Sequence, residues 1–93
     1  MPRDRRDVEA GLAAKGFQQR DGDHRFFIYH TLQGRKSQVF TKTSHHDKQV
    51  DDGLLSQMSK QCRLSKKLFG ELLDCPLDRE SYEAELRKLG ILV

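Results

Sequence analysis

Tryptophan is absent from this chain of 93 residues, and proline and cysteine occur only twice each. Cys62 and Cys75 form no CxxC pair, which leaves them as small buried hydrophobes, with a disulfide or a zinc site as the alternatives. No apolar run approaches the length of a bilayer crossing, and Met1-Pro2-Arg3-Asp4-Arg5-Arg6 has no hydrophobic stretch behind it. These absences predict no membrane span and no classical secretion, hence a cytoplasmic protein. A phosphate loop, a dinucleotide glycine signature, HExxH and a nucleophile elbow are all missing, which removes nucleotide hydrolysis and dehydrogenase chemistry. No cofactor is expected. Without repeats, low-complexity tracts or a Pro/Ser-rich linker, residues 1–93 read as a single domain.

What the chain does have is charge, unevenly spread. Residues 1–50 carry ten basic and six acidic side chains, and residues 51–93 carry seven and eight. All four histidines lie in the first half. A basic, histidine-bearing half beside a near-neutral one suits a polyanion on one surface and a protein contact on another. A solvated surface of mixed charge is the plainer alternative.

Hydrophobic spacing divides the chain into elements. Residues 3–15 read as a helix, with Asp4 or Asp7 near its start, Val8, Leu12 and Ala13 at helical spacing, and Gly16 as the stop. Phe17 to Arg20 reads as a short strand ended by Asp21-Gly22-Asp23. The run His24-Arg25-Phe26-Phe27-Ile28-Tyr29-His30 is the strongest strand signal, and Gly34 closes a hairpin into a return strand from Arg35 to Thr41. Alternation allows two assignments of the middle strand. In one, Phe26 and Ile28 meet the helices while Phe27 and Tyr29 lie on the open face beside Arg25; the other is its reverse, because both faces carry apolar groups.

Lys42 to Val50 is polar and reads as a loop. Asp51 or Asp52 caps a helix through Cys62, Ser65 caps the next, and Asp78 opens the last, with Leu77 and Tyr82 placed for a hydrophobic staple. Gly90 ends it. The expected fold is α+β in the order α-β-β-β-α-α-α, a three-stranded antiparallel sheet packed on helices.

Histidine in a basic setting is the chemistry-bearing feature. His24 follows a turn and begins the best strand, close in sequence to Arg20 and Arg25, where an imidazole can exchange a proton near neutral pH. An ordinary polar strand-end residue is the alternative. His45 and His46 suggest metal, but a ligand set needs further donors that the spacing does not supply, so an exposed pair or a phosphate contact is the expectation and no metal site is assigned. Arg35, Lys36 and Lys42 flank the return strand and, with Arg20 and Arg25, form a candidate basic rim for RNA phosphates. Phe27 and Tyr29 are candidates for base stacking or for the core.

Lys15-Gly16-Phe17, Arg20-Asp21-Gly22-Asp23-His24-Arg25-Phe26 and the Gln33-Gly34-Arg35 turn together resemble the HicA (YcfA-like) mRNA interferase toxins. Gly22-Asp23-His24 occupies the place of that family's Gly-Ser-His, with Asp23 where serine is usual, and His45 or His46 falls near a later family histidine. The resemblance spans roughly residues 5–73; residues 1–73 are taken as the HicA-like region and 74–93 as a helical extension. It implies a double-stranded-RNA-binding-domain-like fold, metal-independent RNA cleavage with His24 as the catalytic residue, and a HicB-type antitoxin as partner. A non-catalytic RNA-binding relative, and an interaction module using the C-terminal helices, are the alternative readings.

Overall fold

A computed structural model describes residues 3–44, 48–74 and 76–92. Among them, β1 (Arg3–Asp4), α1 (Arg5–Ala14), β2 (Phe17–Asp21), β3 (Arg25–His30), β4 (Lys36–Thr43), β5 (Gln49–Val50), α2 (Asp52–Gln61), α3 (Lys66–Asp74) and α4 (Arg79–Lys88) follow in order. The fold is α+β, with a three-stranded antiparallel sheet ordered β2-β3-β4 and four helices among the described residues.

The caps are where the sequence places them. Asp4 accepts from the Arg6 amide at 2.8 Å, Asp51 from Leu54 at 2.8 Å, Ser65 from Leu68 at 3.1 Å and Asp78 from Ser81 at 2.7 Å, each supplying an acceptor to a helix-terminal amide. α1 begins at Arg5 rather than residue 3, because Arg3 and Asp4 pair in antiparallel fashion with Val50 and Gln49. That pairing also corrects the loop expected over residues 42–50: β4 runs on to Thr43, and Gln49–Val50 form β5.

The two strand connections are short. Gly22, Asp23 and His24 form the β2–β3 turn, closed by the Gly22 amide on the His24 carbonyl at 3.0 Å. Between β3 and β4, the Gly34 amide donates to the Thr31 carbonyl at 2.8 Å, and Gly34 adopts φ +83°, a left-handed conformation that favours glycine.

The helices cover one face of the sheet. Phe17 of β2, Phe27 and Tyr29 of β3, and Val39, Thr41 and Thr43 of β4 are buried beneath them. The first of the two face assignments is therefore overturned. Phe27 and Tyr29 are core, and Phe26 and Ile28 lie on the open face. The core continues through Val8 and Leu12 of α1, Leu55 and Met58 of α2, and Phe69 and Leu72 of α3. A methyl group at Gly11 would come within 3.0 Å of the Leu73 carbonyl oxygen, so α1 and α3 approach as closely as glycine allows.

α4 belongs to this same core. Tyr82 and Leu86 are fully buried, and the Tyr82 ring stacks on Phe17 at 5.9 Å and meets Tyr29 edge-on at 5.2 Å. The Tyr82 hydroxyl donates to the Cys62 carbonyl at 2.8 Å. Cys62 is a free, buried thiol whose pKa burial pushes up to about 12, which makes it a packing residue rather than a nucleophile. Cys75 lies outside the described residues, as do His45 and His46.

Candidate nucleic-acid interface

The side of the sheet away from the helices is built by strand alternation in rows. Register places Arg20, Phe26 and Lys42 in one row, Gln18, Ile28 and Phe40 in the next, and His30 opposite Lys36 beyond them. Asp21 is the only acidic residue within these three strands, and alternation turns it to the helix side, opposite Arg25. The open face therefore presents cations and aromatic rings with no strand carboxylate among them. Phe40 is 46% exposed, and its ring lies 6.3 Å from that of Phe26. Large apolar groups exposed between cations form a platform on which a base can stack while phosphates meet the cations.

His24 stands at one end of this platform. It is exposed, and its ring meets Phe26 edge-on at a centroid distance of 6.2 Å. The imidazole thus shares its end of the face with the row that carries Arg20 and Lys42. Asp23 precedes it in the turn and is also exposed, so a carboxylate borders the same corner.

Arg25 does not join this group. Its guanidinium turns toward α1 and pairs with Glu9 at 3.0 Å, while Glu9 also accepts the Thr43 hydroxyl at 2.8 Å. Strand alternation sets Arg25 on the face opposite Phe26, and its charge is shared with a partly buried carboxylate. Arg35 is exposed in the β3–β4 turn and shares a depression with Lys36 and Arg87 near Ile91 and Leu92. Lys36 lies at the far end of β3 from His24, about 20 Å away at the rise of a strand. The sheet thus sets Phe26, the ring neighbour of His24, between Arg20 and Lys42, while Arg20 also lines a cleft with His30 and Lys36. No three His, Cys, Asp or Glu side chains gather among the described residues as a metal-ligand set.

Three residues important to this face are not singled out by sequence: His30, Phe26 and Phe40. Phe17 carries the signal that would have found the two phenylalanines. It is the lone hydrophobe of β2 and must face the core, and the short turn sets it opposite Tyr29. That register places Tyr29 and Phe27 inside and Phe26 outside.

The opposite face is held by charges under cover. Glu83 of α4, 3% exposed, accepts from the Tyr29 hydroxyl at 2.7 Å, the Leu32 amide at 2.8 Å and Arg87 at 2.9 Å. Burial alone would raise its pKa, but these three donors hold the carboxyl below its ordinary value. The Lys15 ammonium is buried against the carbonyls of Leu72 and Leu77. Arg79 donates to the carbonyls of His30 and Thr31 at 2.9 and 3.1 Å and lies over the Tyr29 ring at 5.9 Å. These contacts fix β3 from below, so the residues it displays above sit on a rigid strand. No described helix is long and apolar enough to cross a membrane. Comparison with family models, with curated proteins and with solved structures gives no match.

Proposed function

We propose that the protein is a HicA-like, RNA-binding toxin of the cytoplasm that cleaves single-stranded RNA without a metal ion. The observation that carries this reading is the exposed His24 imidazole beside the Arg20–Phe26–Lys42 row. Three antiparallel strands with helices on one face support the double-stranded-RNA-binding-domain-like fold that the resemblance implies. The open sheet face takes the RNA, with Phe26 and Phe40 stacking bases and the cations holding phosphates.

In the reaction, His24 takes the proton of a ribose 2′-hydroxyl as that oxygen attacks the adjacent phosphorus. The bond from phosphorus to the 5′-oxygen breaks and that oxygen takes a proton from water, leaving a 2′,3′-cyclic phosphate on one fragment and a 5′-hydroxyl on the other. Arg20 and Lys42 neutralise the charge that builds on the phosphoryl oxygens. Arg25 is paired with Glu9 and Lys36 lies about 20 Å along β3 from His24, which favours Arg20 and Lys42 for that role. A HicB-type antitoxin fits as the partner, because covering this one face would block both binding and chemistry.

Incubation of the full chain with single-stranded RNA in EDTA tests the reading. Fragments ending in cyclic phosphate are expected from the wild type. His24→Ala should abolish them while leaving the circular dichroism spectrum and RNA binding unchanged; equal cleavage by that variant removes the mechanism. Asp23, exposed next to His24, favours a second reading in which the face binds RNA without cutting it, since a carboxylate there repels the scissile phosphate. Salt-sensitive RNA retention with no scission by the wild type selects that reading.

A further inference from the structure

β4 carries a register irregularity opposite the end of β3. Ile28 pairs with Phe40, yet His30, two residues on, pairs with Lys36, four residues back along β4. The surplus of two residues is a bulge, and Ser37 holds it: its hydroxyl donates to the Tyr29 carbonyl at 2.7 Å and accepts from the Val39 amide at 3.1 Å. With regular pairing, Gln38 would face His30. The bulge puts Lys36 there instead. His30 is itself clamped by its backbone, its amide on the Gly16 carbonyl at 2.9 Å and its carbonyl on Arg79.

The result is a cleft of about 150 Å³ between β2 and the bulge, walled by Gln18, Arg20, Ile28, His30 and Lys36. A second depression adjoins it across Lys36 and is lined by Phe26, Ile28 and Phe40. An imidazole, an ammonium, a guanidinium and an amide converge here beside an exposed aromatic surface, with no carboxylate in the wall. That is the chemistry of a phosphate with a base attached.

We propose that this cleft is a second phosphate subsite, in which His30 and Lys36 hold a phosphodiester of the same RNA strand at a distance from the bond at His24. The inference rests on the RNA-binding reading and extends it: the strand lies along β3, anchored at both ends, with Phe26 and Phe40 under the intervening bases. His24 and His30 are six positions apart, about 20 Å along a strand, so a dinucleotide cannot fill both ends while a longer single strand can. The occupant is RNA rather than a protein surface because the face sets Arg20, Lys42, His30 and Lys36 around Phe26 and Phe40 with no strand carboxylate among them.

The test is an amide-resolved NMR titration of the full chain with a 2′-O-methylated hexanucleotide, which binds but cannot be cleaved through its 2′-oxygen, joined to affinities at several salt concentrations. Shifts are expected at both ends of β3, around His24–Phe26 and around Ile28–His30 and Lys36–Gln38. Lys36→Gln and His30→Ala should each weaken binding about tenfold and erase the shifts at the His30 end while those at His24 persist. Lys36→Gln should also flatten the logarithmic salt dependence by about 0.7, the loss of one single-strand phosphate contact. Lys67→Gln, on α3, should change neither. Shifts confined to the His24 end, or wild-type affinity and salt slope in Lys36→Gln, overturn the subsite and leave the RNA reading standing. Absence of any RNA-induced shift overturns both, as does a face whose shifts follow protein concentration alone, the sign of a second copy covering it.

Discussion

The Tyr29 hydroxyl donates to the Glu83 carboxylate at 2.7 Å beneath the sheet, across 54 residues of sequence. The bond joins the central strand of the candidate interface to the helix in residues 79–88. A carboxylate this well buried is stable only because its donors are all supplied, so each of them is a point of leverage on the fold.

Replacing Glu83 is the most direct use of that leverage. Glu83→Ala leaves the Tyr29 hydroxyl and the Leu32 amide without their acceptor, and stability should fall by about 2–3 kcal/mol. Urea denaturation followed by circular dichroism reads the loss; a midpoint unchanged from wild type would mean that water replaces the carboxylate without cost.

The same group sets a pH dependence. The Glu83 carboxyl is held below its ordinary value of 4.5, and Asp74, beside Arg3, and Asp78, capped onto Ser81, are lowered in the same direction. A lowered acid contributes stability that is present above its unfolded pKa and lost as pH falls through the folded one. Stability should therefore hold near pH 5 and decline on further acidification, with a shallower acid limb in Glu83→Gln (melting temperatures across that range). At the other extreme, burial and the bond to Glu83 push Tyr29 up to about 12, so stability falls as pH rises past the ordinary tyrosine value of 10.

Arg63 offers a change in the opposite direction. It is the one described non-glycine residue at positive φ, 65°, where the Arg63 amide donates to the Lys60 carbonyl and the Leu64 amide to Ser59 after α2. Arg63→Gly should raise stability by about 1 kcal/mol by removing a Cβ from a left-handed position. Thermal unfolding checks it, and a lowered melting temperature would show that the arginine side chain outweighs the backbone strain.

Phe40 separates the interface from the fold. With its ring half-exposed, Phe40→Ala should cost about 1 kcal/mol of stability. It should also weaken single-strand RNA binding by about tenfold, within the range of one lost base stack. Fluorescence anisotropy on a short RNA and a parallel denaturation curve give both numbers; equal affinity would remove the stacking role.

The elements were legible in sequence because they rest on local physics. Asp51, Ser65 and Asp78 cap their helices from one turn away, Gly34 closes its hairpin within four residues, and the aromatic run of β3 has no other conformation that suits it. What was illegible depends on partners distant in the chain. Phe26-Phe27-Ile28-Tyr29 is apolar on both faces, so its inner side is decided by Phe17 and by the helices rather than by its own pattern. Glu83 reads as a solvated helix residue until Tyr29 and Leu32 arrive from more than 50 positions away. The β1–β5 pairing involves two residues on each side and leaves no periodicity to read. Of the site, His24, Arg20 and Lys42 were visible as polar groups in or beside the strands, whereas His30 became relevant only through a bulge that no turn residue announces.

Because the Tyr82 ring packs on Phe17 and Tyr29, that part of the sheet's underside is left uncovered until residues 79–88 have been made. Those two rings therefore stay wet during synthesis until that late segment can fold back against them. A messenger cut short before it would release a sticky fragment instead of a working protein.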